Sequence, residues 1–243
     1  MLSYISVEIK NNPYRGGIEI ISTAQSDTIG NITSVRITRK VYKKIGWTDV
    51  YTKDIESVND LNFKLVDIAT VSGTSYSYGI DLLYGNNIIE SGLVENIECQ
   101  LEGLFIGNFD KQYIAGTNFE TDARRNTQVE YVTTLAGRTP YRVSNAATNY
   151  STGQSRGLFL KVTNDGKKFI PDYNHDYSKE ILDFLTDGTD KILKTNDGEA
   201  WFVSIDSGAA SPFNEHYYGM NEIRFNWTEV GDLPPFGMVE DDE

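Results

Sequence analysis

Seven strand-like segments, most of them alternating apolar and polar side chains at period two, fill the first hundred residues and stop at turn-forming residues. A helix cannot place such a pattern on one face, whereas a half-buried strand must. Tyr4–Ile9 alternates, and Gly17–Ser22 is a β-branched run that follows the Pro13, Gly16 and Gly17 turn signals. Residues 32–42 put Val35, Ile37 and Val41 opposite Arg36, Thr38 and Lys40; Trp47–Lys53 follows the Gly46 turn as a hairpin partner. Leu61, Phe63 and Leu65 alternate until Asp67 interrupts them. Tyr76, Tyr78 and Ile80 keep step within Thr74–Tyr84, and Ile88–Cys99 closes the series after Gly85-Asn86-Asn87. Short strands at this spacing predict a seven-stranded β-sandwich over residues 1–98.

Composition narrows the function classes. With 22 Lys+Arg against 35 Asp+Glu, the 243-residue chain carries a formal net charge of −13. That balance argues against gripping nucleic acid through its phosphates, which takes clustered cations. No apolar run approaches the roughly 18 residues of a membrane span, so no membrane insertion is expected. The opening Met1–Lys10 alternates and lacks the basic flank and apolar block of a secretion signal. Cys99 is the sole cysteine, which excludes an internal disulfide and a cysteine-clustered metal site. Without a signal, the sequons at Asn31, Asn149 and Asn226 read as chance.

Beyond residue 98 the pattern changes to glycine-spaced short strands. Gln100–Ile106, Gln112–Ala115, Thr127–Leu135 and Ser155–Thr163 read as strands, with Asn118–Asn126 as a long polar loop. Tyr177, Ile181, Leu182 and Leu185 recur at helical spacing, which predicts one helix over 176–187. Asp176 or Asn174 is placed to cap it, and Asp187-Gly188 to stop it. Lys191–Lys194 and Ala200–Ile205 flank Asn196-Asp197-Gly198 as a tight hairpin. A long last strand runs over 217–230, with Ile223, Phe225 and Trp227 in step. The end, 233–243, has two prolines and the run Glu240–Glu243, and reads as an acidic C-terminal tail outside the core. The expected organisation is thus residues 1–98, 99–232 and 233–243.

Candidate chemistry is sparse. His175 and His216 stand alone without metal-ligand spacing, and Cys99 has no base near it in sequence and sits within an alternating strand. Gly103-Leu104-Phe105-Ile106-Gly107 lacks the lysine and following helix of a phosphate loop. Asp172, Asn174 and Asp176, followed by Asp187 and Asp190, alternate as calcium ligands can, but the EF-hand pattern is absent. Tyr113, Tyr141, Tyr150, Tyr173, Tyr217 and Tyr218 suit sugar stacking, interface anchoring or ordinary sheet packing, the last being the commonest use of such residues. No catalytic, cofactor-binding or metal-binding residue is assigned, and no cofactor is expected.

Two resemblances add to this reading. Ser72-Gly73-Thr74-Ser75-Tyr76 precedes the sixth strand and resembles the Gly-Thr-x-Tyr corner of fibronectin type III domains. Ser72 stands where that family usually has proline, and no Trp lies on the second strand; another immunoglobulin-like sandwich is the alternative. Across residues 100–232, a series of segments occurs in order. They are Gly137-Arg138-Thr139-Pro140, Asn149–Gly153, Phe184–Gly188, Lys191–Lys194, Asn196–Trp201 and Phe225–Asp232. In that order they resemble tail and baseplate proteins of bacteriophages, and phage-derived tail-like bacteriocins, of Gram-positive hosts.

The second resemblance implies a tail-tube or distal-tail-like β-sandwich with one flanking helix, following the fibronectin-like module. It implies a non-enzymatic structural component of a virion or tail-like particle, assembled in the host cytoplasm. Partners would be copies of itself in a ring and other tail or baseplate proteins. DNA would meet it only while passing through a lumen, where acidic walls repel phosphate. Two departures stand: the fibronectin-like module comes first, and a separate carbohydrate-binding insertion is missing. The competing expectation is a carbohydrate- or receptor-binding module protein at the virion tip.

Overall fold

The period-two alternation becomes two antiparallel sheets that share one core. A computed structural model describes residues 2–133, 139, 141–162, 169–170, 172, 175–206, 211–217, 220–235 and 238–240. The seven expected strands are β1 (Ile5–Asn12), β2 (Gly17–Ala24), β3 (Ser34–Val41), β4 (Thr48–Asp54), β5 (Phe63–Asp67), β6 (Ser75–Tyr84) and β7 (Asn87–Glu98). One sheet is ordered β1-β2-β5 and the other β4-β3-β6-β7. Ile18, Ile20 and Leu65 from the first meet Val35, Ile37, Tyr78 and Ile80 from the second. Each such burial contributes about 1.5–3 kcal/mol.

Asp67, where the alternation breaks, is fully buried. Arg39 on β3 reaches it across the sandwich with Nη1 2.6 Å from Oδ1 and 2.7 Å from Oδ2. The Tyr78 hydroxyl donates to Oδ2 at 2.9 Å and the Ala69 N–H to Oδ1 at 3.1 Å. Tyr76 sits at the corner between the sheets, and its hydroxyl accepts the Val71 N–H at 2.9 Å. A polar residue in this core is therefore tolerated because each of its oxygens is engaged.

The second part is β8 (Leu104–Gly107), β9 (Gln112–Val132), β10 (Tyr141–Phe159), the short pair β11 (Lys161–Val162) and β12 (Phe169–Ile170), helix α1 (Asp176–Leu185), β13 (Lys191–Lys194), β14 (Ala200–Ile205), β15 (Ser211–Tyr217) and β16 (Met220–Gly231). Here the sandwich expectation is corrected. The order β10-β9-β8-β13-β14-β16 closes on itself through β10–β16 pairing, which makes a six-stranded antiparallel barrel with β15 outside it. Closure removes two edges that a sandwich would leave open. Trp227 fills the interior, with its Nε1 donating to Ser155 Oγ at 2.9 Å and its ring 4.9 Å from that of Trp201. Gly153 permits this packing, since a Cβ there would lie 2.6 Å from the Trp227 ring.

Two further readings change. Asn118–Asn126, expected as a loop, is the middle of β9. Its charged side chains are mostly exposed, and Arg156 on β10 pairs across the ladder with Glu120 at 2.5 Å. Charge here marks a solvated strand rather than the lack of one. The segment 233–243, expected outside the core, supplies β17 (Met238–Glu240), which adds to the free edge of β5 in the register Met238↔Asp67 and Glu240↔Leu65. Arg39 Nη2 also donates to the Pro235 carbonyl at 2.7 Å.

The helix begins at Asp176 as expected and ends at Leu185, burying Ile181, Phe184 and Leu185 on the barrel. Its first turn is capped by Asp172, whose carboxylate accepts from the Ser178 N–H at 2.9 Å and hydroxyl at 3.0 Å. Asn174 lies outside the described residues, as do Gly137, Arg138, Pro140, Tyr173 and Tyr218.

Candidate functional site

Sheet membership changes between Glu98 and Leu104, but apolar packing continues across that point. Phe105 on β8 and Ile114 on β9 belong to the same buried cluster as Ile18 and Tyr78. Gly16 makes the approach possible: its φ is +63°, and a Cβ would lie 2.5 Å from the Phe105 ring. Val66 and Ile68 meet Ile192 in a second apolar contact, with Leu233 packed against it.

Lys194 on β13 lies within this junction, buried to 1% exposure. Its ammonium donates to the carbonyls of Ile68 at 2.6 Å and Thr70 at 3.2 Å, and to that of Gly16. Burial lowers its pKa to about 8, against the smaller upward pull of Cys99 and Asp67. Cys99 is buried nearby with its Sγ donating to Thr70 Oγ1 at 3.4 Å, and burial pushes the thiol up. A raised, enclosed thiol is a poor nucleophile. The junction thus holds two titratable groups in a packed interior rather than in a cleft.

The residues singled out from the sequence for possible chemistry disperse. His175 is the residue before α1 and adopts φ 58°, so its role is to set the entry of the chain. His216 and Tyr217 lie on β15 and Tyr141 on β10, with their side chains outside the described residues. Asp172 caps α1, Asp176 lies 3.6 Å from Lys179, and Asp187 accepts from Thr189 and Lys191. Among the described residues, no group of three or more His, Cys, Asp or Glu is placed to hold a metal. Tyr113 is buried and donates to Glu180 at 2.8 Å; burial and that carboxylate raise its pKa far above the ordinary value. Tyr150 is exposed.

The feature that the sequence pattern concealed is the ribbon beyond the barrel. β9 has β8 as a second neighbour only over Gln112–Ala115, and β10 has β16 only over Thr152–Leu158. From Arg125 to Val132, β9 is paired on one side alone, with β10 from Tyr141 to Ser151. Tyr131 at its far end is 68% exposed, with Val132 and Tyr150 also exposed. Thr127–Leu135 reads as a strand from the sequence, but no pattern there marks residues 141–151 as its partner or shows that the preceding polar run 118–126 continues the same strand.

No protein-family model matches the chain, and no curated protein matches it either. Fold and surfaces together define a mainly β protein in which a two-sheet unit is packed on a closed barrel.

Proposed function

We propose that this chain is a structural component of a phage tail or tail-like particle, built from a fibronectin type III-like module and a tail-tube or distal-tail-like unit. The observation that carries the proposal is the unsupported β9–β10 ribbon. A two-stranded ribbon is marginal in water by itself, and this one has exposed Tyr131 and Val132 at its far end. Copies placed side by side would pair its free edges and cover those side chains, as a ring requires. The fibronectin-like module is supported by the strand order β1-β2-β5 over β4-β3-β6-β7 and by the Tyr76 hydroxyl on Val71. The tail assignment itself rests on the ordered segments of residues 100–232 that resemble that family.

The test is the solution size of the purified protein, with electron microscopy of the multimers. Deleting residues 128–145 joins the ribbon near its base, where Thr127 pairs with Asn149. The expected outcome is rings for the full chain and a folded monomer for the deletion. A full chain that stays monomeric at every concentration, and binds host glycans saturably, would instead establish the receptor-binding alternative.

A further inference from the structure

The turn between β3 and β4 is basic and apolar in a chain that is otherwise acidic. From Arg36 to Trp47 there are five cations and no carboxylate. Arg36 and Arg39 are engaged by Asp81 and Asp67. Lys40, Lys43 and Lys44 have no ion pair among the described residues; Lys40 Nζ lies 4.5 Å above the Trp47 ring and Lys43 Nζ 5.3 Å from that of Tyr42. Ile45 at the apex is 105% exposed and Trp47 44%. The turn projects: a Cβ at Gly46 would meet nothing within 4 Å. A protruding apolar apex with cationic shoulders is the form of a docking element, since solvent offers the isoleucine nothing.

The same chain carries a concave counterpart. Between α1 and the β8–β9 turn lies a groove of about 640 Å³ lined by five carboxylates and by Lys111 and Lys179, with Phe184 among them; Glu180, Asp176 and Asp187 are paired with Lys111, Lys179 and Lys191. Phe109, beside it in sequence, is exposed. Asp110 and Asp183 have no ion pair among the described residues.

We infer that the Tyr42–Trp47 turn of one copy docks in the α1 groove of the next, with Lys43 and Lys44 meeting Asp110 and Asp183 and Ile45 entering between them. A second copy is the occupant favoured by charge. A lipid surface or nucleic acid that attracted the turn would repel the remaining surface of a −13 chain. A copy instead offers a carboxylate-rich groove in which Asp110 and Asp183 have no ion pair among the described residues. Because turn and groove are different surfaces, the contact is heterologous, and its repetition gives a ring when the rotation closes. The inference rests on the assembly reading above and adds to it a second contact, made by residues outside the ribbon.

Sedimentation velocity over a concentration series tests it with full-length wild type, K43E/K44E and D110K/D183K, all exposed substitutions whose folding circular dichroism verifies. Each variant is expected to associate at least about tenfold more weakly. An equimolar mixture should regain multimers, because each variant's turn then faces a groove of opposite sign. Multimers of wild type that persist unchanged in both variants overturn the inference and leave the assembly reading standing. A monomeric wild type overturns both. Weakened variants that the mixture does not rescue also overturn it, as does wild-type binding to anionic-lipid vesicles that K43E/K44E abolishes while leaving multimers intact.

Discussion

Lys194→Met should change how the stability of this protein depends on pH, and the buried geometry sets the size of the effect. In the folded chain the Lys194 pKa is about 8, whereas an ordinary lysine titrates near 10.5. Between these values the unfolded chain binds a proton that the folded chain has released, so folding is favoured as pH rises. The contribution is complete above the unfolded value and is lost as pH falls through the folded one. From about pH 7 to about pH 9.5, wild type should gain about 2 kcal/mol from this side chain alone, at a slope below about 1.4 kcal/mol per pH unit. Cys99 and Tyr78 act the other way. Burial raises both pKa values, so their contribution is lost above the ordinary 9.0 and 10.0. Tyr78 is common to both proteins and cancels in the difference; Cys99 cancels where its thiol stays protonated in both folded proteins, since the Lys194 charge pulls its pKa down. Urea unfolding of wild type and Lys194→Met across this pH range gives that difference directly. A gap that stays constant within about 0.5 kcal/mol would refute the view that burial outweighs the three carbonyl acceptors.

Two further outcomes follow from single contacts. Tyr76→Phe removes the acceptor of the Val71 N–H and should cost about 1–3 kcal/mol in urea unfolding; a change below about 0.5 kcal/mol would remove the corner role. A chain ended at Leu233 loses β17 and the Arg39–Pro235 bond. It should lose about 1–3 kcal/mol of stability and show faster amide exchange in β5, whereas unchanged exchange would mean that β17 does not protect that edge.

What the sequence by itself determined is the part governed by local rules. Alternation, a β-branched run at Gly17–Ser22 and the turn signals between segments located all seven strands of residues 1–98, because a strand half buried against one core must alternate. The 3.6-residue spacing of Tyr177, Ile181 and Leu185 located α1, and Asn196-Asp197-Gly198 located the β13–β14 hairpin. Asp67 showed in the sequence only as an interruption. Its meaning needed Arg39, twenty-eight residues away in the chain and on the opposite sheet. Barrel closure, the addition of β17 to β5 and the burial of Lys194 at the junction were decided only in three dimensions. Each joins segments far apart in sequence, as when Lys194 meets Gly16 across 178 positions. Local patterning constrains which face of a strand is apolar, but hydrogen-bond partners and desolvated charges depend on which distant backbone arrives beside it.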